Sequence, residues 1–310
     1  MAELFKLNSI AVCLAAFNGR KWLLEQINSI LNQQNVVVTI FISVDKSTDG
    51  TEDWLDHYFR VESRVVILSH GRHFGGAAPN FFRLLSDTNF DLFDYVAFAD
   101  QDDIWFSDKL YNSINSINSS LSDAYSSNVI AFWPDGRNFL IDKSQKQRKW
   151  DFLFEAAGPG CTYVIKVDLI FEIQKLLRQR SDDFLKIGLH DWFIYAFARA
   201  NGYKWIIDDQ PGMMYRQHSE NQVGVNVGLN AIYLRARKVL SGWSFQQSAQ
   251  IADLVGISNS PFVISWSKGG RVGLIKLAFQ ANNCRRRRRD QLFFLISCLL
   301  YSLFAFKKNE

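Results

Sequence analysis

The stretch SIAVCLAAFNGRKWLLEQINSILNQQNVVVTIFISV, residues 9–44, alternates between two kinds of hydrophobic pattern. Residues 9–16 and 36–44 are almost continuous apolar runs and predict buried strands, whereas residues 21–33 carry apolar side chains at helical spacing. Two more strands are predicted at residues 64–70 and 94–100, separated by helical stretches. Because strands that are apolar throughout need cover on both faces, this alternation predicts an α/β fold with a parallel sheet between layers of helices.

Composition limits the classes of protein to consider. The chain has 310 residues, of which 48% are hydrophobic, so it can bury the core of one large domain plus an appendage and is not a disordered protein. The N-terminal residues include an acidic side chain, Glu3, and too short an apolar run for a secretory signal, so we expect them to lead into the first strand. The cysteines form no CxxC pair or Cys/His cluster, which indicates neither a zinc site nor a disulfide framework and favours a reducing compartment. They are Cys13, Cys161, Cys284 and Cys298.

Positive charge is concentrated in the C-terminal part of the chain. Residues 231–310 carry 13 Lys and Arg against 3 Asp and Glu, within a chain whose formal net charge is only +4. Five consecutive arginines, residues 285–289, precede an apolar run from Leu292 to Phe306 that ends in two lysines. The run is shorter than the ~20 residues that cross a bilayer, and positive charge at both ends favours a segment that lies in one membrane interface. Two alternatives stay open, namely a helix that packs on the protein's own core and a nucleic-acid site at the arginines.

Three loops follow strands at the edge of the sheet where ligands of such folds bind. They read AFNG after the first strand, DKSTDGT after the second and DQDD after the fourth. In DKSTDGT, residues 47–49 could simply cap the next helix, but Asp45 precedes the cap and could accept hydrogen bonds from a nucleotide base or ribose. The chain has neither GxGxxG after the first strand nor GxxxxGK[ST], so a bound nucleotide would need another device to hold its phosphates.

The DQDD loop supplies three neighbouring carboxylates, Asp100, Asp102 and Asp103. Carboxylates this close raise one another's pKa unless a cation or several hydrogen-bond donors lie within reach. On an extended segment Asp100 and Asp102 point the same way, and such a pair can bind Mg²⁺ or Mn²⁺ together with a substrate diphosphate. A DxD string alone is weak evidence, but its position at the end of a buried strand, two strands from Asp45, strengthens the prediction of a divalent-cation site.

Three segments together carry a family resemblance. AAFNGRKWLLEQINSILNQ, ISVDKSTDGTEDWL and FADQDDIWFSDKL, in this order and at these separations, resemble the family-two inverting glycosyltransferases of the GT-A fold. The resemblance is in particular to the bacterial branch similar to rhamnosyltransferases of cell-surface polysaccharide assembly, and it runs from about Ser9 to about Gly224. It implies a Rossmann-like mixed sheet flanked by helices, a nucleotide-sugar donor and a divalent cation.

The resemblance also assigns roles to individual residues. Asp45 would contact the nucleotide base, and Ala15 and Asp100 would lie with it at the donor site. Asp100 and Asp102 would form the DxD motif and bind the cation, with Asp102 as the direct metal ligand. The family often has a second acidic residue where this chain has Val44, so only one of two carboxylates remains for the base.

The segment GLHDWFIYAFARANG, residues 188–202, supplies a candidate general base. Asp191 opens an apolar helix, where the helix dipole favours a carboxylate, so capping alone could explain it. The family has an acidic residue here that deprotonates the acceptor hydroxyl, and the resemblance assigns that role to Asp191. The segment YRQHSENQVG, residues 215–224, resembles one that bears on the diphosphate and the metal. Arg216 would pair with phosphate and His218 would be a further metal ligand, although a surface histidine in a polar loop is the simpler interpretation.

Glycines and basic amphipathic stretches add two smaller predictions. Gly158 and Gly160 precede a probable strand, where missing side chains would let a sugar or diphosphate approach the backbone, and a simple turn is the alternative. Residues 229–240 and the stretch RVGLIKLAFQ, residues 271–280, are amphipathic and basic, as expected of helices that dock on a membrane bearing a lipid-linked acceptor.

Taken together, the sequence predicts two domains, a GT-A glycosyltransferase domain at residues 1–228 and a basic helical, membrane-associating region at residues 229–310. The predicted enzyme is an inverting, metal-dependent transferase that moves rhamnose from dTDP-rhamnose to a lipid-linked saccharide in surface polysaccharide synthesis. It would act in the cytoplasm, bound peripherally to the anionic inner face of the membrane, with no nucleic-acid partner. The alternatives are transfer of another sugar such as a UDP-hexose, or a nucleotide-sugar-binding module without turnover.

Overall fold

The computed structural model describes residues 7–218 and 241–304. Contacts within the chain divide the described residues into two compact units. The first unit consists of residues 7–144, 158–191 and 203–218, and the second of residues 145–157, 192–202 and 241–304. The predicted domain boundary at residue 228 and the basic stretch 229–240 lie outside the described residues.

The first unit contains all the described strands. They are β1 (Ser9–Ala16), β2 (Val37–Val44), β3 (Val65–Ile67), β4 (Tyr95–Asp100), β5 (Ile104–Trp105), β6 (Ala124–Ser127), β7 (Val129–Phe132), β8 (Asn138–Ile141), β9 (Val164–Lys166), β10 (Trp205–Asp208) and β11 (Met213–Arg216). Its helices are α1 (Arg20–Leu31), α2 (Thr51–Tyr58), α3 (Ala77–Asp87), α4 (Lys109–Ser119), α5 (Val167–Gln179) and α6 (Ser181–Phe184), with a 3₁₀ turn at Gly160–Thr162.

A seven-stranded sheet forms the core of the first unit, in the order β10-β6-β9-β4-β1-β2-β3. The pairs β1–β2, β1–β4 and β2–β3 are parallel, and β9 runs antiparallel to β4 and β6. All four strands predicted in the first hundred residues are confirmed, although β3 is shorter than expected. The predicted mixed sheet with flanking helices is therefore confirmed, because the antiparallel strand sits inside an otherwise parallel core.

A smaller four-stranded sheet, in the order β5-β11-β7-β8, was not predicted. Its strands have only two to four residues each, too few to give a periodic pattern. Strand β11 pairs antiparallel with β5, which joins Met213 to Trp105 and Met214 to Ile104. This pairing brings the segment after β11 to the segment after β4, so the DQDD loop and residues 216–218 meet.

The second unit is helical in its described part. Helix α7 (His190–Ala200) begins in the first unit and continues into the second, which also contains a 3₁₀ turn at Asp151–Leu153. The remaining helices are α8 (Trp243–Leu254), α9 (Pro261–Ser267), α10 (Gly270–Ala278), α11 (Ala281–Cys284) and α12 (Arg288–Phe304). The predicted helix near residues 271–280 is thus confirmed as α10.

A buried ion network ties the second unit together. Asp151 is fully buried and accepts from Tyr195 Oη at 3.0 Å, and it pairs with Arg199 at 3.2 Å and with Arg286 at 3.4 Å. The backbone amide of Arg286 donates to Glu155 Oε1 at 2.7 Å. A buried carboxylate shared by two arginines is costly to desolvate and needs all its partners.

Of the five consecutive arginines, Arg286 is therefore internal and Arg285 is partly buried. Arg286 is 4% exposed and donates to the carbonyl oxygen of Ala156 at 2.6 Å, and Arg285 donates to that of Phe154 at 2.7 Å. The sequence suggests a uniform basic patch for lipid or nucleic acid, but the run does not form one in the structure. Of the five arginines in the run, only Arg288 and Arg289 are largely exposed.

Helix α12 has one packed face and one exposed face. Phe294 packs edge-on against Phe154 with ring centroids 4.9 Å apart, and Tyr301 stacks on Phe245 at 4.9 Å. The opposite face leaves large apolar side chains exposed, among them Leu292, Phe293, Ile296, Leu300 and Leu303. Across residues 7–218 and 241–304, no helix is both long and apolar enough to cross a membrane.

We expect Asp151→Asn to destabilise the protein strongly. The change leaves Arg199 and Arg286 without their counter-charge, and breaking such a buried network costs about 3–5 kcal/mol. Urea unfolding followed by circular dichroism measures the loss. Asp135→Asn is the control, because Asp135 is 53% exposed and pairs with Arg137 at the surface, where a pair contributes about 0–1 kcal/mol. Equal unfolding midpoints for the two variants would contradict the structural role of Asp151.

Candidate active site

The candidate site lies at the carboxyl ends of three adjacent strands of the large sheet. Ala15 near the end of β1 pairs with Asp100 of β4 on one side and with Ser43 of β2 on the other. Asp45 follows β2, and its amide donates to the carbonyl oxygen of Ala16 at 2.8 Å. The two predicted acidic positions therefore stand at the same edge with one strand between them, as the sequence predicts.

The carboxylate of Asp45 holds the loop that leads into α3. Its two oxygens accept from the amides of Phe74 at 2.7 Å and Gly75 at 2.9 Å, and Nδ1 of His73 lies 3.2 Å away. Asp45 is 4% exposed. The residue thus fixes the wall of the site next to β2, while its predicted contact with a nucleotide base stays a prediction.

The acidic loop divides into two groups of side chains. The chain turns at residues 101 and 102, so the alternation of an extended segment does not apply there. Asp102 Oδ2 lies 2.7 Å from His218 Nε2, with only 11% and 15% of the two side chains exposed. Asp100 instead groups with Asp103 and Cys161, whose possible ligand atoms all lie within 4.8 Å of one another.

Negative charge in this loop is not balanced. Burial and the charges of Asp102 and Asp191 raise the pKa of Asp100 to about 7. Burial and the charges of Asp102 and Asp100 likewise raise the pKa of Asp103 well above its usual value. Burial lowers the pKa of nearby Lys109 to about 7, so this lysine is a weak counter-charge. Asp103 Oδ2 is buried without a hydrogen bond to any described residue, so the donor set suits a divalent cation.

Side chains of helix α1 contact both the acidic loop and the segment at the end of β11. The Trp22 ring stacks on His218 with centroids 4.2 Å apart, and Glu25 pairs with the guanidinium of Arg216. Gln26, fully buried, donates to the carbonyl oxygen of Asp100 at 2.9 Å. Sequence reasoning assigned α1 no role in the site, although a glutamine on the apolar face of KWLLEQINSIL was a usable signal.

Arg216 is held by internal contacts. Besides Glu25, its Nε donates to the carbonyl oxygen of Asp102 at 2.8 Å, and its amide donates to Asp103 Oδ1 at 3.1 Å. The guanidinium also lies over the Phe132 ring, 4.6 Å from its centroid. A phosphate would therefore have to compete with a carboxylate for Arg216, and the predicted phosphate contact stays a prediction.

Gln101 joins two loops of the site through two side-chain hydrogen bonds. The sequence analysis did not predict this role. Its Oε1 accepts from the amide of Phe17 at 2.7 Å, and its Nε2 donates to the carbonyl oxygen of Phe17 at 2.8 Å. A Cβ on Gly19 would lie 2.1 Å from Gln101 Oε1, so glycine is required beside this side chain. The AFNG and DQDD loops are therefore fixed as one structure.

Asp191 stands second in α7, and its neighbour His190 anchors that helix start. The His190 ring is 8% exposed and stacks on Phe81 with centroids 3.9 Å apart. Burial lowers the pKa of His190 to about 3, so the ring is neutral near pH 7. The charge of Asp191 acts on Asp100, which places both carboxylates in one electrostatic neighbourhood.

Gly160 serves packing inside the protein, while the approach of a ligand that its sequence context suggests stays a prediction. A Cβ at Gly160 would lie 2.8 Å from His190 Nε2 and 3.1 Å from the Cβ of Asp191. The missing side chain thus allows the start of α7 to approach the 3₁₀ turn that carries Cys161. Asp191 is positioned by this close contact.

We expect Gly160→Ala to destabilise the protein and displace the start of α7, since overpacking of a tight contact costs about 1–3 kcal/mol. Gly158→Ala is the matched control, because a Cβ there would make only ordinary contacts, the shortest 3.5 Å from the carbonyl oxygen of Ser127. Thermal unfolding monitored by circular dichroism compares the two. A Gly160→Ala variant that melts together with Gly158→Ala would rule out the tight packing described here.

Comparisons with known proteins agree with this geometry. Residues 11–169 match the family described as Glycosyl transferase family 2. The dTDP-rhamnosyl transferase RfbG of Shigella flexneri is 41% identical over 288 residues, which cover 93% of this chain and 99% of that protein. The putative teichuronic acid biosynthesis glycosyltransferase TuaG of Bacillus subtilis (strain 168) is 31% identical over 101 residues, 33% of this chain and 38% of that protein.

Solved structures with a similar fold include two ligand complexes. S. aureus TarS 1-349 in complex with UDP-GlcNAc superposes with a TM-score of 0.53 at 14% identity, covering 97% of this chain and 92% of that one. Mannosyltransferase PcManGT from Pyrobaculum calidifontis in complex with GDP-Man and Mn²⁺ gives 0.50 at 15% identity, covering 97% and 89%. At these identities the likeness supports the GT-A fold alone. Because the family match spans half of the chain and the Shigella protein aligns with nearly all of it, the chain belongs to glycosyl transferase family 2 and is a glycosyltransferase.

Proposed function

We propose that the protein transfers rhamnose from dTDP-rhamnose to a lipid-linked saccharide in the synthesis of a cell-surface polysaccharide. The observation that carries the proposal is the 41% identity to a dTDP-rhamnosyl transferase over 93% of this chain and 99% of that protein. An alignment from end to end at this identity supports a similar donor pocket, and specificity depends on the pocket.

The proposed cation is Mg²⁺ or Mn²⁺, with Asp102 and His218 as ligands and with Asp100, which groups with Asp103 and Cys161 in the structure, as a further ligand. Bound there, it would neutralise charge on the departing nucleoside diphosphate. Support comes from the unbalanced negative charge of the loop and from the proximity of Asp102 and His218, whose 2.7 Å hydrogen bond a bound cation would replace. The Trp22 ring behind His218 and the turn at residues 101 and 102 keep the two donors in place.

Donor binding is assigned to Ala15, Asp45, Asp100 and Arg216. Ala15 and Asp100 are register partners at the sheet edge, so the small side chain of Ala15 leaves room above the strand end. Asp45 has both oxygens engaged by backbone amides and would receive a base donor on its remaining lone pairs. Arg216 would exchange Glu25 for a phosphate oxygen as the donor binds.

Asp191 is the proposed general base. The acceptor hydroxyl attacks the anomeric carbon from the side opposite the diphosphate, the bond from that carbon to the diphosphate oxygen breaks, and the hydroxyl proton passes to the Asp191 carboxylate. The single displacement inverts the anomeric configuration. The packing of His190 against Phe81 and the tight contact at Gly160 hold Asp191 at the helix start.

We further propose that the enzyme works at the cytoplasmic face of the membrane, bound through the exposed face of α10 and α12. Val272 is 61% exposed on α10, and Leu292, Phe293 and Leu303 are 58% to 60% exposed on α12. Exposed cations accompany them, among them Lys268, Arg271, Lys276, Arg288 and Arg289. A face with this composition suits an anionic lipid surface, which combines apolar burial with electrostatic attraction.

Turnover tests the transferase proposal. Purified protein with Mg²⁺ or Mn²⁺, dTDP-rhamnose and a lipid-linked saccharide extract should release dTDP, and chelation by EDTA should abolish release. We expect Asp191→Asn to lower the rate by about 10²- to 10⁴-fold, because it removes the proton acceptor, and Asp102→Asn to raise the metal concentration required. UDP-GlcNAc and other UDP-hexoses serve as competing donors.

Asp182→Asn is the matched control for turnover, because Asp182 is an exposed aspartate nine positions before Asp191. It should keep wild-type rates. Faster release from a UDP-hexose than from dTDP-rhamnose would overturn the proposed donor. Metal-dependent nucleotide binding without release from any donor would favour the binding module.

Membrane association has its own test. We expect the double variant Leu292→Ser, Phe293→Ser to bind phosphatidylglycerol vesicles at least about tenfold more weakly, since each large apolar side chain that enters the interface contributes about 1.5–3 kcal/mol. Both positions are exposed, so folding should be preserved. The control Leu92→Ser, Leu185→Ser removes two exposed leucines of the first unit, 86% and 77% exposed. Equal sedimentation of the two variants with vesicles would remove α12 from the proposed surface.

A further inference from the structure

A groove in the second unit has no part in the proposed donor site. Its volume is about 710 Å³, within the ~300–1,000 Å³ of sites that take small molecules. Residues from the segment before Asp151 and from α9, α10 and the turn after α10 form its lining. Its lining includes Lys149, Trp150, Phe262, Lys276, Leu277 and Phe279.

Aromatic and aliphatic side chains form the walls of this groove. Trp150 and Phe262 stack with ring centroids 4.4 Å apart and planes within 4°, and Leu277 is 2% exposed beneath. Phe279 is 75% exposed and offers its ring to any occupant. Because Phe262 covers one face of Trp150, that face cannot stack on a sugar, and the apolar wall that the two rings form suits an aliphatic chain.

Two lysines add positive charge to this apolar lining. Lys149 and Lys276 are both exposed, and neither forms an ion pair within the part of the chain that the structure describes. The Lys149 ammonium lies 5.4 Å from the Trp150 ring centroid, so it stands at the aromatic wall. From residue 258 to residue 304 the sequence contains one acidic residue, Asp290, against eight Lys and Arg. An occupant with an apolar body and an anionic end matches this arrangement.

We propose that the groove binds the phosphate-bearing end of a single-chain lipid, with the chain against Trp150, Phe262 and Phe279 and the phosphate between Lys149 and Lys276. The lipid that carries the acceptor saccharide has this chemistry, and in assigning that source the inference rests on the proposed function. The groove would then hold the acceptor by its lipid phosphate, separately from the residues that act on its sugar. Apolar contact supplies most of the affinity, and the lysines select the anionic end.

Isothermal titration calorimetry with decyl phosphate, below its micelle concentration, tests the site on the full-length protein. We expect one molecule bound per chain, with decanol and inorganic phosphate each binding more weakly because each offers only half of the recognised chemistry. Lys149→Gln together with Lys276→Gln should lower the affinity for decyl phosphate by about fivefold or more. Phe279→Ser should lower this affinity as well, and because Phe279 is exposed, the variant should fold normally.

The control is Lys175→Gln together with Lys204→Gln, which removes the same charge from exposed lysines outside the groove. It should leave decyl phosphate affinity unchanged. The proposal would be overturned if many molecules bound per chain, or if both double lysine variants lost the same affinity for decyl phosphate. Tighter binding of maltose than of decyl phosphate would also overturn it. The titration uses no donor, metal or acceptor sugar, so its failure is distinguishable from a failure of transfer.

Discussion

The side-chain amide of Gln26, buried on α1, donates to the carbonyl oxygen of Asp100 at the point where β4 ends. One turn later Ser29 accepts from the amide of Trp105 at 3.0 Å, and Gln33 donates to the carbonyl oxygen of Phe106 at 2.7 Å. These side chains satisfy backbone groups of Asp100, Trp105 and Phe106, on either side of the acidic loop, and each buried group left unsatisfied would cost about 1–3 kcal/mol. The acidic loop keeps its shape because a helix from the first forty residues supplies its hydrogen bonds. The positions of the metal-site and donor-site candidates follow from that shape.

The apolar runs of the first hundred residues were sufficient to predict the large sheet, because a buried parallel strand must be apolar throughout. The predicted helix at residues 21–33 matches α1 within two residues at each end. The small sheet escaped prediction because its strands are too short for any periodic signal and its pairing is long-range. The arrangement of the acidic residues escaped for a different reason, since a turn at residue 101 sends Asp102 to His218 and leaves Asp100 with Asp103. Local spacing predicts directions only where the chain stays regular.

Charge counted along the sequence also differs from charge at the surface. Arg285 and Arg286 appear as part of a basic run, yet they close on Phe154, Glu155 and Asp151 inside the second unit. The Arg286 guanidinium is buried and paired with carboxylates, so it contributes less to the external field than its place in the basic run suggests. The cations left at the surface accompany exposed apolar side chains of α10 and α12, which is a composition suited to a lipid interface.

The Asp151 network joins residues that are far apart along the chain, since Arg286 follows Asp151 by 135 positions. During synthesis Asp151 and Arg199 leave the ribosome long before Arg286 does, so the nascent second unit carries a buried carboxylate that lacks one of its two cations. Its ion network can close only after Arg286 has been translated, whereas strands β1, β2 and β4 of the first unit have all been translated by residue 100. Translation therefore builds the sheet edge that bears the acidic loop first. The helical unit closes last, so a chain cut short before residue 286 would retain the sheet core yet be recognisable to quality-control proteases by its unfinished second unit.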